Sequence, residues 1–183
     1  MTLKEKIFEV CGTNDLLALV LSGGDVRRYH QEGGHVYMQP VSEHTYRVMA
    51  ILLHFWPDAS RELLIAAFYH DSPAERVTGD PPATVKAVFP SVRAVYDDIE
   101  REVMDALGLP NENDLEPIDY ARLKVADYVE LCITCKSQPG RRPQRIYERG
   151  RQFVEQYAIR LPDDERAMVD DFMRKLRTNL WEA

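Results

Sequence analysis

Arg61-Glu62-Leu63-Leu64-Ile65-Ala66-Ala67-Phe68-Tyr69-His70-Asp71 is the stretch on which the fold turns. Residues 63–69 are apolar nearly all round a helical wheel, which marks a central, buried helix rather than a surface one. Ser60 stands at its N-cap, and Pro57 closes the segment before it. That preceding helix starts near Ser42 and sets Val41, His44, Val48, Ile51 and Leu52 on one side. Further upstream, Leu3, Ile7 and Val10, then Leu16, Leu17, Val20 and Leu21, recur at helical spacing until Gly23-Gly24 stops them. Residues 25–40 lose the pattern and read as a structured loop containing Arg27, Arg28, Tyr29, His30 and His35. Downstream, periodic segments cover 91–107, 117–136, 142–161 and 162–181, separated by Pro, Gly and Asn clusters. No run has the alternation of a strand, and there is no repeat or sustained heptad. The expected fold is all-α, with seven or eight helices.

The 183 residues suit a single domain spanning 1–183. A chain of this size buries roughly 70% of its extended surface, so it needs no disulfide or metal to fold. Hydrophobic residues make up 45% and charged residues 29%, which excludes collagen-like and low-complexity classes. The net charge of −7 argues against a protein that covers duplex nucleic acid, because phosphate neutralisation needs a cationic face. Cys11, Cys132 and Cys135 form no spacing framework, which fits a reducing compartment, and no apolar run approaches membrane-spanning length. A cytoplasmic protein is expected. Cys132 and Cys135 lie within a helical pattern and read as small hydrophobes rather than a redox or zinc pair.

The chemistry concentrates where polar groups enter apolar helices. All five histidines lie between positions 30 and 70, and Asp71 follows His70 at the end of the nearly all-apolar helix. A carboxylate placed there needs a cation, a metal or hydrogen bonds to stay charged. His44 lies on the inward side of its own helix, one turn before Val48, where it can face His70. On the helix near 118–136, Asp127 falls on the stripe of Leu123, Ala126, Leu131 and Ile133. Two imidazoles and two carboxylates suit one divalent transition metal: Mn, Fe, Co, Ni or Zn. Taken singly, each of these residues also fits a satisfied core position.

Four blocks, Val41-Ser42-Glu43-His44, Tyr69-His70-Asp71, Thr78-Gly79-Asp80-Pro81 and Lys124-Val125-Ala126-Asp127, together resemble the metal motifs of HD-domain phosphohydrolases. The likeness is to the small deoxynucleotide branch, which includes bacterial 5′-deoxynucleotidases and phage dATP triphosphohydrolases, and it covers about 24–131. It implies the all-helical HD-domain bundle, with His44, His70, Asp71 and Asp127 around one metal. It also implies a catalytic role for Glu75 and a lesser one for Asp80 near the substrate. Asp71-Ser72-Pro73-Ala74-Glu75 has one residue more than the family spacing. Ser72, Pro73 and Glu75 also fit a capping box, with Ser72 at the N-cap, and Gly79-Asp80-Pro81 also fits a plain turn.

By the same resemblance Arg28, Lys86 and Lys124 bind phosphate, and Tyr29 stands where relatives carry a Trp that stacks on sugar or base. The implied substrate is a deoxynucleoside 5′-phosphate attacked at the α-phosphorus. Monophosphates are slightly favoured over a dNTP such as dATP, and a non-catalytic nucleotide sensor is the alternative outside enzymology. Relatives tend to self-associate, so a homo-oligomer is expected. Phe153, Tyr157, Met168 and Phe172 pack either internally or against a second subunit.

Overall fold

Helix α1 (Leu3–Cys11) begins at a reciprocal cap: Glu5 N–H donates to Thr2 Oγ1, and Thr2 N–H donates to Glu5 Oε2 at 2.7 Å. It ends at Gly12, whose φ of 69° is left-handed. Asp15 Oδ1 accepts from the N–H groups of Leu17 and Ala18 and starts α2 (Leu16–Gly24). The computed structural model describes residues 1–28, 38–80, 83–138 and 141–178, so the sites expected at Tyr29, His30 and His35 lie outside the described residues, as does Pro81. Six more helices of nine residues or longer follow: α3 (Val41–Phe55), α4 (Arg61–Tyr69), α7 (Pro90–Leu107), α8 (Pro117–Lys136), α9 (Arg141–Ala158) and α10 (Asp163–Arg177). With α1 and α2 they make eight main helices among the described residues. Two short ones, α5 (Ala74–Thr78) and α6 (Ala83–Val88), lie between α4 and α7, and Glu112–Asp114 forms a 3₁₀ turn.

No strand forms among the described residues. A lone antiparallel bridge joins Arg27 to Pro40, where Arg28 N–H donates to Gln39 O at 2.8 Å and Val41 N–H donates to Val26 O at 2.9 Å. This clamp ties Arg28 to the start of α3 and so places it close in register to His44. Among the described residues no single helix is long and apolar enough to cross a membrane.

The chain divides into two compact units. The first holds α1, α2, the start of α3 up to Tyr46, the end of α4 from Ile65, and α5 to α7. Ile7, Leu19, Ala74, Val103 and Leu107 form its buried core, with Phe8, Leu16 and Ile99 packed against them. The second holds the rest of α3, the start of α4, and α8 to α10. There Tyr128 stacks on Phe153 at 4.7 Å and on Tyr157 at 5.9 Å, while Phe172 meets Phe55 edge-on at 5.4 Å. Three of the four apolar residues expected on the C-terminal helices thus pack internally; Met168 stays partly exposed. Cys132 and Cys135 are buried in the packing of α8, in keeping with their reading as small hydrophobes.

A polar network also lies in the second unit. Trp56 Nε1–H and the Arg122 guanidinium both donate to Glu165, and Arg122 donates to Asp119 at 3.0 Å. Ser60 serves twice, accepting from Leu63 N–H as the expected N-cap of α4 and donating to Asp119 at 2.8 Å. Glu130 is fully buried and accepts from Thr134 Oγ1 at 2.7 Å, with Arg47 Nη1 at 3.8 Å.

A candidate metal centre at the end of α4

Helix α3 carries Val41, His44, Val48 and Leu52 at helical intervals, and all four are fully buried. His44 is therefore held by its neighbours with its ring pointing inward. Helix α4 stops at Tyr69, leaving the carbonyls of its last turn without helical partners. His70 supplies one: its Nδ1 lies 2.7 Å from Ala67 O. A carbonyl only accepts, so Nδ1 carries the proton, and in the neutral ring Nε2 presents a lone pair. That Nε2 faces His44 Nε2 at 3.1 Å.

Asp71 Oδ2 completes a triangle, 3.3 Å from His44 Nε2 and 3.5 Å from His70 Nε2. Donors bonded at about 2.0–2.1 Å to a tetrahedral ion stand roughly 3.3 Å apart. The three observed edges bracket that spacing, and two imidazoles with one carboxylate make a donor set of borderline softness suited to first-row divalent ions. These residues fit such a metal, and they form the group with that capacity among the described residues. The bond from His70 Nδ1 to the Ala67 carbonyl of its own helix is the arrangement expected of a ligating histidine.

The same carboxylate receives a cation. Arg28 Nη1 donates to Asp71 Oδ2 at 2.9 Å, with both side chains largely buried. Glu75, on α5, is 8% exposed, and its Oε2 has no hydrogen-bond partner among the described residues. Burial pushes its pKa well above the ordinary carboxyl value; the Asp71 and Asp80 carboxylates add to this, while Arg28 and His44 oppose it.

The arrangement is assembled by the first unit from three separate parts of the chain: the Arg27–Pro40 bridge with Arg28 beside it, the start of α3 and the α4–α5 connection. Among solved structures, the chain is similar to the cyanophage S-2L HD phosphohydrolase DatZ, in a structure with dA and one catalytic Zn²⁺ ion. The TM-score is 0.64, with 21% identity over 91% of this chain and 96% of that one. The fold is the all-α HD-domain fold. No family model matches the sequence, and no curated protein does.

Within this HD fold the other expected site residues fall as follows. Asp80 follows Gly79, whose φ of 69° needs a residue without a Cβ, and its charge reaches Glu75. Lys86, on α6, places Nζ 3.5 Å from Glu100 Oε1 and 5.6 Å from the centre of the Tyr96 ring. Asp127 and Lys124 stand half-buried one helical turn apart on α8, in the second unit, where Lys124 Nζ lies over the Tyr120 ring at 5.5 Å. The capping box does not form. Pro73 takes the N-cap position of α5 without a side-chain bond, because the Ser72 hydroxyl donates instead to Val20 O at 2.7 Å. Glu75 is thereby left free of capping duty. Sequence reasoning passed over Glu100 and Tyr96, which lie on one α7 face four residues apart.

Proposed function

We propose that the chain is a metal-dependent phosphohydrolase acting on deoxynucleoside 5′-phosphates, with monophosphates slightly favoured. The observation that carries the reading is the convergence of His44, His70 and Asp71 with donor spacings of 3.1 to 3.5 Å. The HD fold and the dA held by the similar phage enzyme support the substrate class. Asp127 is proposed as the fourth ligand, and one divalent ion of the Mn, Fe, Co, Ni or Zn kind as the cofactor. When bound, such an ion supplies Lewis-acid charge stabilisation at phosphorus and a water nucleophile at neutral pH.

Arg28 offers planar N–H donors beside the cluster, suited to gripping two oxygens of one phosphate. Lys86 and Lys124 add point charges for the remaining oxygens. Water attacks the α-phosphorus, the bond to the 5′-oxygen breaks, and that oxygen needs a proton as it leaves. Glu75 fits the donor role, since burial raises its pKa and so favours the protonated carboxyl, and its Oε2 has no hydrogen-bond partner among the described residues. Asp80, whose charge raises the Glu75 pKa further, assists that role. Tyr29 is proposed to stack on sugar or base. A homo-oligomer in the cytoplasm without affinity for duplex DNA completes the reading, the last from the charge of −7.

The test is release of phosphate or triphosphate from a panel of dNMPs and dNTPs, after chelation and re-addition of Mn, Fe, Co, Ni, Zn or Mg. Phosphate from dNMPs is expected. Triphosphate from dNTPs alone would select the triphosphohydrolase reading, and no product with any metal would leave a nucleotide-binding sensor. Glu75→Ala is expected to abolish turnover with metal content intact; full activity in that variant would remove its assigned role.

A further inference from the structure

Lys86 does not face solvent as a lone cation. Its ammonium sits between two α7 residues one helical turn apart, the Tyr96 ring at 5.6 Å and the Glu100 carboxylate at 3.5 Å. Both charged side chains are about two-thirds buried, so the pair is shielded from full solvent screening. Glu100 is also within the field of the metal-centre carboxylate. Burial raises its pKa, Lys86 opposes this, and the charge of Asp71 raises it further. A cation proposed to meet phosphate is therefore already paired to an anion belonging to the same electrostatic neighbourhood.

We infer that Glu100 is a specificity-determining residue: by pairing with Lys86 it keeps that end of the site low in positive charge, so that one phosphate group is accepted and a polyphosphate chain is disfavoured. This rests on the reading of Lys86 as a phosphate-binding cation. Two effects of Glu100 oppose each other. It orders the lysine side chain, which helps any anion by the same factor, and it repels the anion, by an amount that grows with the anion's charge. A triphosphate carries more charge than a single phosphate, so repulsion dominates the comparison between them.

The measurement is the affinity of metal-loaded protein for inorganic phosphate and for inorganic tripolyphosphate, by calorimetry at one fixed free metal concentration. Wild type, Glu100→Gln, Glu100→Ala and Lys86→Met are compared. Both Glu100 variants are expected to bind tripolyphosphate about tenfold more tightly and phosphate no more than about threefold more tightly. An unchanged ratio between the two anions, or weaker binding of both, overturns the inference. Lys86→Met is expected to weaken both anions. If it weakens them while the Glu100 variants leave the ratio alone, the inference on Glu100 fails and the phosphate role of Lys86 stands. If Lys86→Met changes neither anion, that role falls and the inference falls with it.

Discussion

His44 and His70 bring their Nε2 atoms to 3.1 Å of each other, one from within α3 and the other from just beyond the end of α4. Two ring nitrogens with an aspartate oxygen beside them are better satisfied by a shared cation than by one another. A ligand that binds the folded chain alone stabilises it by about 2.7 kcal/mol at a hundredfold excess over its Kd. Chelation is expected to lower the melting temperature, and Zn or Mn to restore it. His44→Ala is expected to abolish the metal-dependent rise whatever its own baseline. A wild-type melting curve indifferent to metal would count against the centre.

Gly23 lies under the segment that follows the His70-Asp71 dipeptide. A Cβ at position 23 would stand 2.5 Å from Ser72 Oγ and 3.3 Å from the Pro73 backbone. Gly23→Ala is expected to cost about 1–3 kcal/mol through overpacking. Ser72→Ala is expected to cost about 0.5–1.5 kcal/mol by removing the buried hydrogen bond that its hydroxyl donates to Val20 O. The double variant should lose less than the sum, since the second change removes the atom that the first collides with. Strict additivity in urea unfolding would contradict this contact.

Burial holds the Glu100 pKa above the ordinary 4.5, with Lys86 opposing and Asp71 adding. A carboxyl whose pKa is higher in the folded than in the unfolded state binds more protons when folded. Its ionisation therefore erodes stability as pH rises through the folded pKa. In metal-free protein, Glu100→Gln is expected to melt above wild type at pH 7, with the difference vanishing below the ordinary carboxyl pKa, where both side chains are neutral. A gap that persists in acid would point to packing instead.

Cys132 is buried, and its thiol is pushed up to about 12, first by burial and then by neighbouring Cys135. The thiolate is the reactive form, and at pH 8 such a group holds about one part in 10⁴ of it. A disulfide reagent is expected to label half-buried Cys11 first and to reach Cys132 only on unfolding. Peptide mapping of partly labelled native protein decides this, and early label on Cys132 would refute the burial argument.

The helices were legible because their apolar residues recur at helical intervals over two turns or more. That periodicity also placed His44 inward between Val41 and Val48, and the apolar run of α4 isolated His70-Asp71 as a polar pair requiring partners. Helices α5 and α6 are too short to show a period. The capping box failed because a local motif competed with a contact 52 residues away, Ser72 to Val20, which no local pattern reveals. Glu100 went unnoticed for a similar reason. On α7 it reads as one charge among many, and only the packing of α6 on α7, which brings Lys86 within 3.5 Å, gives it a partner.

The proton on His70 is anchored to a main-chain oxygen, that of Ala67. Every amino acid at position 67 carries that oxygen, so drift in the side chain there leaves the tautomer untouched as long as the helix persists. Ring orientation is inherited with the backbone rather than with a co-varying neighbour. Lineages are thus free to remodel the surroundings of His70 while its lone pair stays aimed at the same point.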